Sequence, residues 1–291
     1  MCGSPAANAR PMGIRLDKSQ GRHPRRKTGI AVSVCHCQVC GLNFPQPMPV
    51  PNSLSDHYGV PPDSYWKPEY FKIDPNYFKH QIEDAKRLLN FQPDMKVLDV
   101  GAGVGKALVS MKAAGFDVSG IEPSEPFHKK ALEFTGLSSD QLQNSSIEGA
   151  NFPPDHFDFI SFGAVLEHLY DPSAAIKKAL YWLKPNGVIQ IEVPSSKHLI
   201  SKILNLYFRF IGTNYVTNIS PMHSPFHIYE FTLDSFIKDG LRAGYKVDYH
   251  YIDVATVSHV PKFLKPIFSK WMGARGTGMQ LTVWLRKVPK D

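Results

Sequence analysis

Cysteine is scarce in this chain: four of 291 residues, all before position 41. That excludes a disulfide-stapled scaffold for the body. No apolar run reaches the roughly 18 residues of a membrane span, and the N-terminus lacks the apolar core of a signal peptide. A cytoplasmic location is therefore expected. Net positive charge is also small outside one segment. The formal net charge is +7, but residues 1–34 hold Arg10, Arg15, Lys18, Arg22, Arg25, Arg26 and Lys27 against Asp17 alone. The body is left near neutral, which argues against a specific nucleic-acid partner. Two phosphate-binding signatures are missing as well. Three residues, not four, separate Gly101 from Gly105, and Ala107 stands where GxxxxGK[ST] needs a hydroxyl. Lys106 stands where a GxGxxG fingerprint needs its third glycine.

What is present is Val97-Leu98-Asp99-Val100-Gly101-Ala102-Gly103-Val104-Gly105. It reads as a buried strand running through a glycine loop into a helix at Ala107, Leu108 and Met111. Asp99 would put a carboxylate where a pyrophosphate lies, so the loop suits a cationic ligand. S-adenosylmethionine carries a sulfonium and an ammonium and no phosphate, and it is the expected cofactor. The next strand, Val118 to Ile121, ends in Glu122, an acid placed to accept two ribose hydroxyls.

Along the chain, Cys37-Gln38-Val39-Cys40-Gly41 is a CxxCG knuckle able to give two thiolates to zinc. Cys2 and Cys35 are the further candidate ligands, and a metal-free remnant is the alternative. Residues 1–45 are expected to be a basic leader without regular structure, carrying this partial knuckle. Residues 46–64 form a proline-rich linker, and 65–290 the catalytic domain. Asp74-Pro75 predicts a helix start, Ser145 to Ile147 a third strand, and 156–162 a fourth. Strands at 188–193, 245–252 and 279–286 complete the set. Strands alternating with helices predict an α/β fold: a Rossmann-like, doubly wound, seven-stranded, mostly parallel sheet. Residues 198–231 interrupt it as a helical lid over the substrate.

VLDVGAGVG (97–105), GIEPS (120–124), FDFISFGAVLEHLYDP (157–172) and LKPNG (183–187) stand at intervals that resemble class I S-adenosylmethionine-dependent methyltransferases. The CxxCG segment before them, and the SPMHSPFHIYEFT stretch (220–232) after them, resemble a bacterial subgroup linked to sugar, surface-polysaccharide or specialised-metabolite modification. The resemblance implies that Asp99, Gly101, Ala102, Gly103 and Glu122 hold the cofactor, with Phe162 and Gly163 beside its methionine part. Ser146 stands where relatives have an aspartate for adenine, leaving the backbone of Ile147 or the side chain of Glu148 for that contact.

Methyl transfer to oxygen needs alignment and a base. His168, just past the fourth strand, is the first candidate, and His223 and His227 are the others. The expected reaction is O-methylation of a sugar or related small molecule. A quinone-like or lipid-linked acceptor is the alternative, as is a non-catalytic cofactor-binding scaffold. A nicotinamide-dependent oxidoreductase is disfavoured by Asp99 and Lys106. Leu199 to Ile211 reads as a cover for the acceptor or a homodimer face. Residues 259–272 mix aromatics with lysines in a pattern compatible with weak membrane-surface contact.

Overall fold

The computed structural model describes residues 1–16, 31–50, 74, 76–221, 226–254, 257 and 260–288. Of the linker expected over 46–64, residues 51–64 lie outside them.

The chain condenses into two compact units that interleave in sequence. One comprises residues 50–165, 174–191 and 284–291, and is built around the glycine loop. Its strand β4 (Lys96–Val100) pairs in parallel with β5 (Asp117–Ile121) and with β7 (Phe157–Gly163). The two-residue strand β6 (Leu142–Gln143) pairs in parallel with β5. Helices α1 (Lys79–Leu89), α2 (Lys106–Ala113) and α3 (Glu125–Thr135) accompany these strands. Helix α4 (Pro172–Trp182) leads directly into β8 (Leu183–Pro194). With β9 (Tyr245–Asp253) and β10 (Gln280–Lys287), the seven-stranded order is β6-β5-β4-β7-β8-β10-β9. The order turns back beside β4, and in such sheets ligands bind at the carboxyl ends around that switch.

Burial explains the strand sequences. Val97, Leu98, Phe159, Ile160 and Trp284 are essentially inaccessible, as strands covered on both faces require. The Trp284 ring stacks on Phe159 at 5.6 Å, and each such side chain contributes about 1.5–3 kcal/mol by leaving water.

Two expected elements moved. Asp74 does not cap a helix; its Oδ1 accepts the Asn76 N–H at 2.9 Å in a local turn. Phe78 then adopts φ 63°, a left-handed conformation through which no helix can run, so α1 starts at Lys79. The third strand is Leu142–Gln143 rather than Ser145–Ile147. Residues after it turn around Ser146, whose carbonyl accepts N–H groups from Gly149 and Ala150.

The other unit comprises residues 1–49, 166–173 and 192–283. The basic leader was expected to lack structure, yet β1 (Ala9–Leu16), β2 (Ala31–Cys37) and β3 (Asn43–Gln46) form an antiparallel sheet. Its outer strand is anchored from far along the chain. Ile14 donates to the Asn214 carbonyl at 2.8 Å, and Val216 donates back to Ile14 at 3.1 Å. Gly13 is required there, because a Cβ would lie 2.2 Å from the Asn214 oxygen. Val34, Val216 and Ile219 make the small core beneath.

The segment 198–231, expected as a lid, contains α5 (Leu199–Phe210), and α6 (Leu233–Ala243) follows, capped by Thr232 and Ser235. Helix α7 (Lys265–Arg275) tolerates Pro266 in its first turn, and packs Met272 and Phe268 with Ile200 and Val257. No helix among the described residues is long and apolar enough to cross a membrane.

Candidate active site

The parallel register sets Val100 beside Ile121, so Gly101 and Glu122 leave their strands next to each other. Gly101 and Ala102 both donate to the Ile121 carbonyl, at 2.9 and 3.0 Å, which fixes the loop on the end of β5. The Glu122 carboxylate accepts the Gly103 N–H on Oε2 and the Ser124 N–H on Oε1, each at 2.8 Å. Glu122 donates its N–H to the Gln143 carbonyl at 3.0 Å, and Asn144, just past β6, donates to the Glu122 backbone carbonyl at 2.8 Å, so the short β6 serves to orient this acid. Each carboxylate oxygen keeps a second lone pair for a ligand hydroxyl.

Asp99 is buried, and accepts the Ser161 hydroxyl at 2.7 Å. Burial pushes its pKa up to about 7 against the help of that hydrogen bond. Glu122 is likewise pushed up to about 7, by burial first, with its two backbone donors opposing and the charge of Asp99 adding. Two buried carboxylates under mutual repulsion make a site that a cation relieves. The loop also leaves room. Gly101, with φ 70°, is closed in by Val165, whereas a Cβ at Gly103 or Gly163 would meet nothing within 4 Å. Phe162 is fully buried under the strand end, and Ala164 follows Gly163 with φ 56°, a strained turn of the kind found at functional sites. Ile147 is buried in the turn at Ser146, and Glu148 is exposed. Sequence reasoning missed Ser161 as the partner of Asp99, because the pairing rests on the register of β7 against β4, which sets the two directly opposite.

In the other unit, Glu167, His168 and His227 come together, their candidate donor atoms all within 4.8 Å. Glu167 Oε1 lies 3.9 Å from His227 Nε2, and the two imidazoles meet edge to face at 4.9 Å. His168 Nδ1 is 3.1 Å from the Phe226 carbonyl, so that nitrogen is the protonated one. Burial pushes Glu167 up to about 8 and His227 down to about 4. Sequence reasoning named the two histidines but not Glu167, whose role depends on a neighbour distant in the chain. His223 lies outside the described residues. Glu230 is a structural acid, taken up by Asn43 at 2.8 Å, Asn218 at 2.6 Å and the Ile219 N–H at 3.0 Å.

Of the four cysteines, the structure brings together Cys2, Cys37 and Cys40, with the Cys2 and Cys37 sulfurs 3.7 Å apart. Cys35 does not join them; its sulfur lies 3.8 Å from Gln46 Oε1. Two residues along a strand carry a side chain about 6.6 Å from its neighbour on the same face, which removes Cys35 from the knuckle. Burial opposes ionisation of Cys37, but the Cys40 and Val39 N–H groups and the neighbouring thiols hold its pKa below the usual thiol value. Burial pushes Cys40 up to about 12.

The doubly wound sheet, the acidic glycine loop and the ribose-type acid together define a class I methyltransferase of the S-adenosylmethionine-dependent kind. A family model described as a methyltransferase domain matches residues 76–250, and the chain belongs to that family. Over 154 residues it is 29% identical to the ubiquinone biosynthesis O-methyltransferase of Aliivibrio fischeri (strain MJ11), covering 52% of this chain and 62% of the relative. The enzyme of that name from Photobacterium profundum is 34% identical over 119 residues, covering 37% and 49%. The chain thus spans less than two thirds of the length of these curated relatives. Among solved structures, it is similar to a candidate S-adenosylmethionine-dependent methyltransferase from Listeria monocytogenes, at TM-score 0.52 and 17% identity, covering 74% of this chain and 98% of that one. A candidate methyltransferase from Bacillus halodurans C-125 gives TM-score 0.51 and 15% identity, covering 72% and 100%. These two likenesses bear on the fold.

Proposed function

We propose that this chain is an O-methyltransferase that uses S-adenosylmethionine to methylate a small hydroxylated acceptor of the quinone-like type. The observation that carries this reading is the pair of buried acids, Asp99 and Glu122, around a glycine loop with open space at Gly103. Bound there, S-adenosylmethionine supplies a methyl group on an activated sulfonium. Glu122 accepts the ribose hydroxyls, Asp99 supplies negative potential, and Gly103 and Gly163 let the backbone come close. O-methylation also needs a base for the acceptor hydroxyl, and the Glu167, His168 and His227 group offers one. In the metal-free protein His168 Nε2 is the base, held in that tautomer by the Phe226 carbonyl. The quinone-like acceptor is supported by the names of the curated relatives.

A sugar acceptor remains a second reading, because the cysteine-bearing N-terminal segment on which it rests is ordered and gathers three thiols. We further infer that this thiol cluster holds a structural zinc ion. Zinc bonded to thiolates at about 2.3 Å places them about 3.8 Å apart in a tetrahedron, close to the separation of Cys2 and Cys37.

The test is transfer of radiolabelled methyl from S-adenosylmethionine to a panel of dihydroxybenzoates, demethylated quinols and nucleotide sugars, with His168→Ala alongside. Labelling of the phenolic members, reduced in the variant, supports the proposal. Labelling of the sugars alone would replace it with the second reading. Metal analysis of wild type against Cys37→Ser/Cys40→Ser reads the zinc separately, and equal zinc in both would refute it.

A further inference from the structure

The Glu167, His168 and His227 group has features that a general base does not need. Glu167 is 1% exposed, and its Oε2 has no hydrogen-bond partner among the described residues. No lysine or arginine pairs with it among those residues, and Glu192 adds like charge. A carboxylate stripped of water and left without a counter-charge is costly, so such a group stays neutral unless a cation faces it. The donors around it are two imidazoles. With Nδ1 of His168 donating to the Phe226 carbonyl, the lone pair is carried by Nε2, the arrangement typical of a metal-bound histidine.

The backbone holds the three residues in place from both sides. Ile228 donates to the Glu167 carbonyl at 2.8 Å. Ser220 and His227 form a bridge, with the Ser220 N–H 2.7 Å from the His227 carbonyl. Ligands about 2.1 Å from a tetrahedral zinc ion lie about 3.4 Å from one another. The 3.9 Å between Glu167 Oε1 and His227 Nε2 is about half an ångström longer, and the three donor atoms, all within 4.8 Å of one another, would draw together on an ion.

We propose that Glu167, His168 and His227 form a binding site for a divalent first-row transition metal ion of the zinc type, with coordination positions left for the oxygen atoms of the acceptor. Two imidazoles and one carboxylate suit zinc, cobalt or iron better than magnesium or calcium. The role rests on the proposed acceptor activation and specifies its means. A hydroxyl bound to the ion is acidified, and its proton passes to water. His168 then acts as a ligand.

The experiment uses full-length, chelator-stripped protein carrying Cys37→Ser/Cys40→Ser, so that thiolates do not contribute. Cobalt(II) is titrated and followed by visible absorption, and zinc(II) by competition with a chromogenic chelator. The expected result is one site per chain with a spectrum free of thiolate charge transfer. Affinity should fall about 10–100-fold in Glu167→Gln and in His227→Asn and be unchanged in the exposed control His80→Ala. Circular dichroism on each sample separates lost binding from lost folding, and the two variants act on different segments. Absence of a site in folded protein, or affinity indifferent to both substitutions, overturns the inference. Calorimetry with S-adenosylmethionine on the same samples tests the methyltransferase reading separately: cofactor binding without metal sinks only the site, and metal binding without cofactor sinks only the reaction.

Discussion

Replacing Glu122 separates two roles that one carboxylate performs. In the folded chain it accepts N–H groups from Gly103 and Ser124, each at 2.8 Å, in a nearly water-free setting. Glu122→Ala strands both donors, and an unsatisfied buried donor costs about 1–3 kcal/mol, so a loss of about 2–6 kcal/mol of stability is expected. Loss of cofactor binding in that variant would then be ambiguous. Glu122→Gln is the sharper change. Its amide oxygen can keep one donor, while its NH2 faces the other, so stability should fall by about 1–3 kcal/mol. The amide also gives up a charged acceptor for the ribose, which should weaken S-adenosylmethionine binding by about 10–100-fold, or about 1.4–2.8 kcal/mol. Urea denaturation gives the first quantity and titration calorimetry the second. Affinity equal to wild type in folded Glu122→Gln would refute the ribose assignment. An alanine variant as stable as wild type would refute the bracing role.

Three further outcomes follow. Gly101→Ala and Gly103→Ala both force alanine into left-handed backbone, at about 1–2 kcal/mol each. Only Gly101 also meets Val165, at 2.6 Å, so it should lose more thermal stability, while Gly103→Ala should chiefly lose cofactor affinity; equal losses in both assays would contradict the cradle. Because Asp99 and Glu122 are both raised to about 7, they are protonated in the folded chain where the unfolded chain is ionised. Their contribution to stability is therefore present below about pH 4 and lost as pH rises through about 7. A cationic ligand favours the ionised pair, so S-adenosylmethionine should bind more tightly from about pH 6 to pH 8 and release protons, read by calorimetry in buffers of different ionisation heat. Phe210, Phe263, Ile267 and Trp271 are exposed in the unit that carries Lys202, Lys262, Lys265 and Lys270. Cosedimentation with anionic vesicles, weakened by Phe263→Ser and by salt, is expected, and equal recovery with neutral vesicles would argue against an electrostatic contribution.

The glycine loop was legible in the sequence because its chemistry is local. Asp99, Gly101, Gly103 and Glu122 sit at a strand end, where pattern, backbone demand and charge coincide. The N-terminal sheet was not legible. Its first strand, Ala-Arg-Pro-Met-Gly-Ile-Arg-Leu, has no clean alternation, and it is held by residues 214–216, far away in the chain. The same limit hid the pairing of Glu167 with His227, which needs the Ser220–His227 bridge to form. Cys35 was misassigned because proximity in sequence to Cys37 says little once both lie on an extended strand. Asp74-Pro75 looked like a helix start, and the left-handed Phe78 that delays the helix leaves no mark in the sequence.

Everything proposed for the reaction depends on the acidic glycine loop holding S-adenosylmethionine. Titration calorimetry of the wild-type chain with S-adenosylmethionine, with S-adenosylhomocysteine and with NADH puts that to the test. One site is expected for each of the two sulfur compounds, and no heat of binding with NADH. Binding of NADH, or failure of both sulfur compounds to bind folded protein, would contradict it.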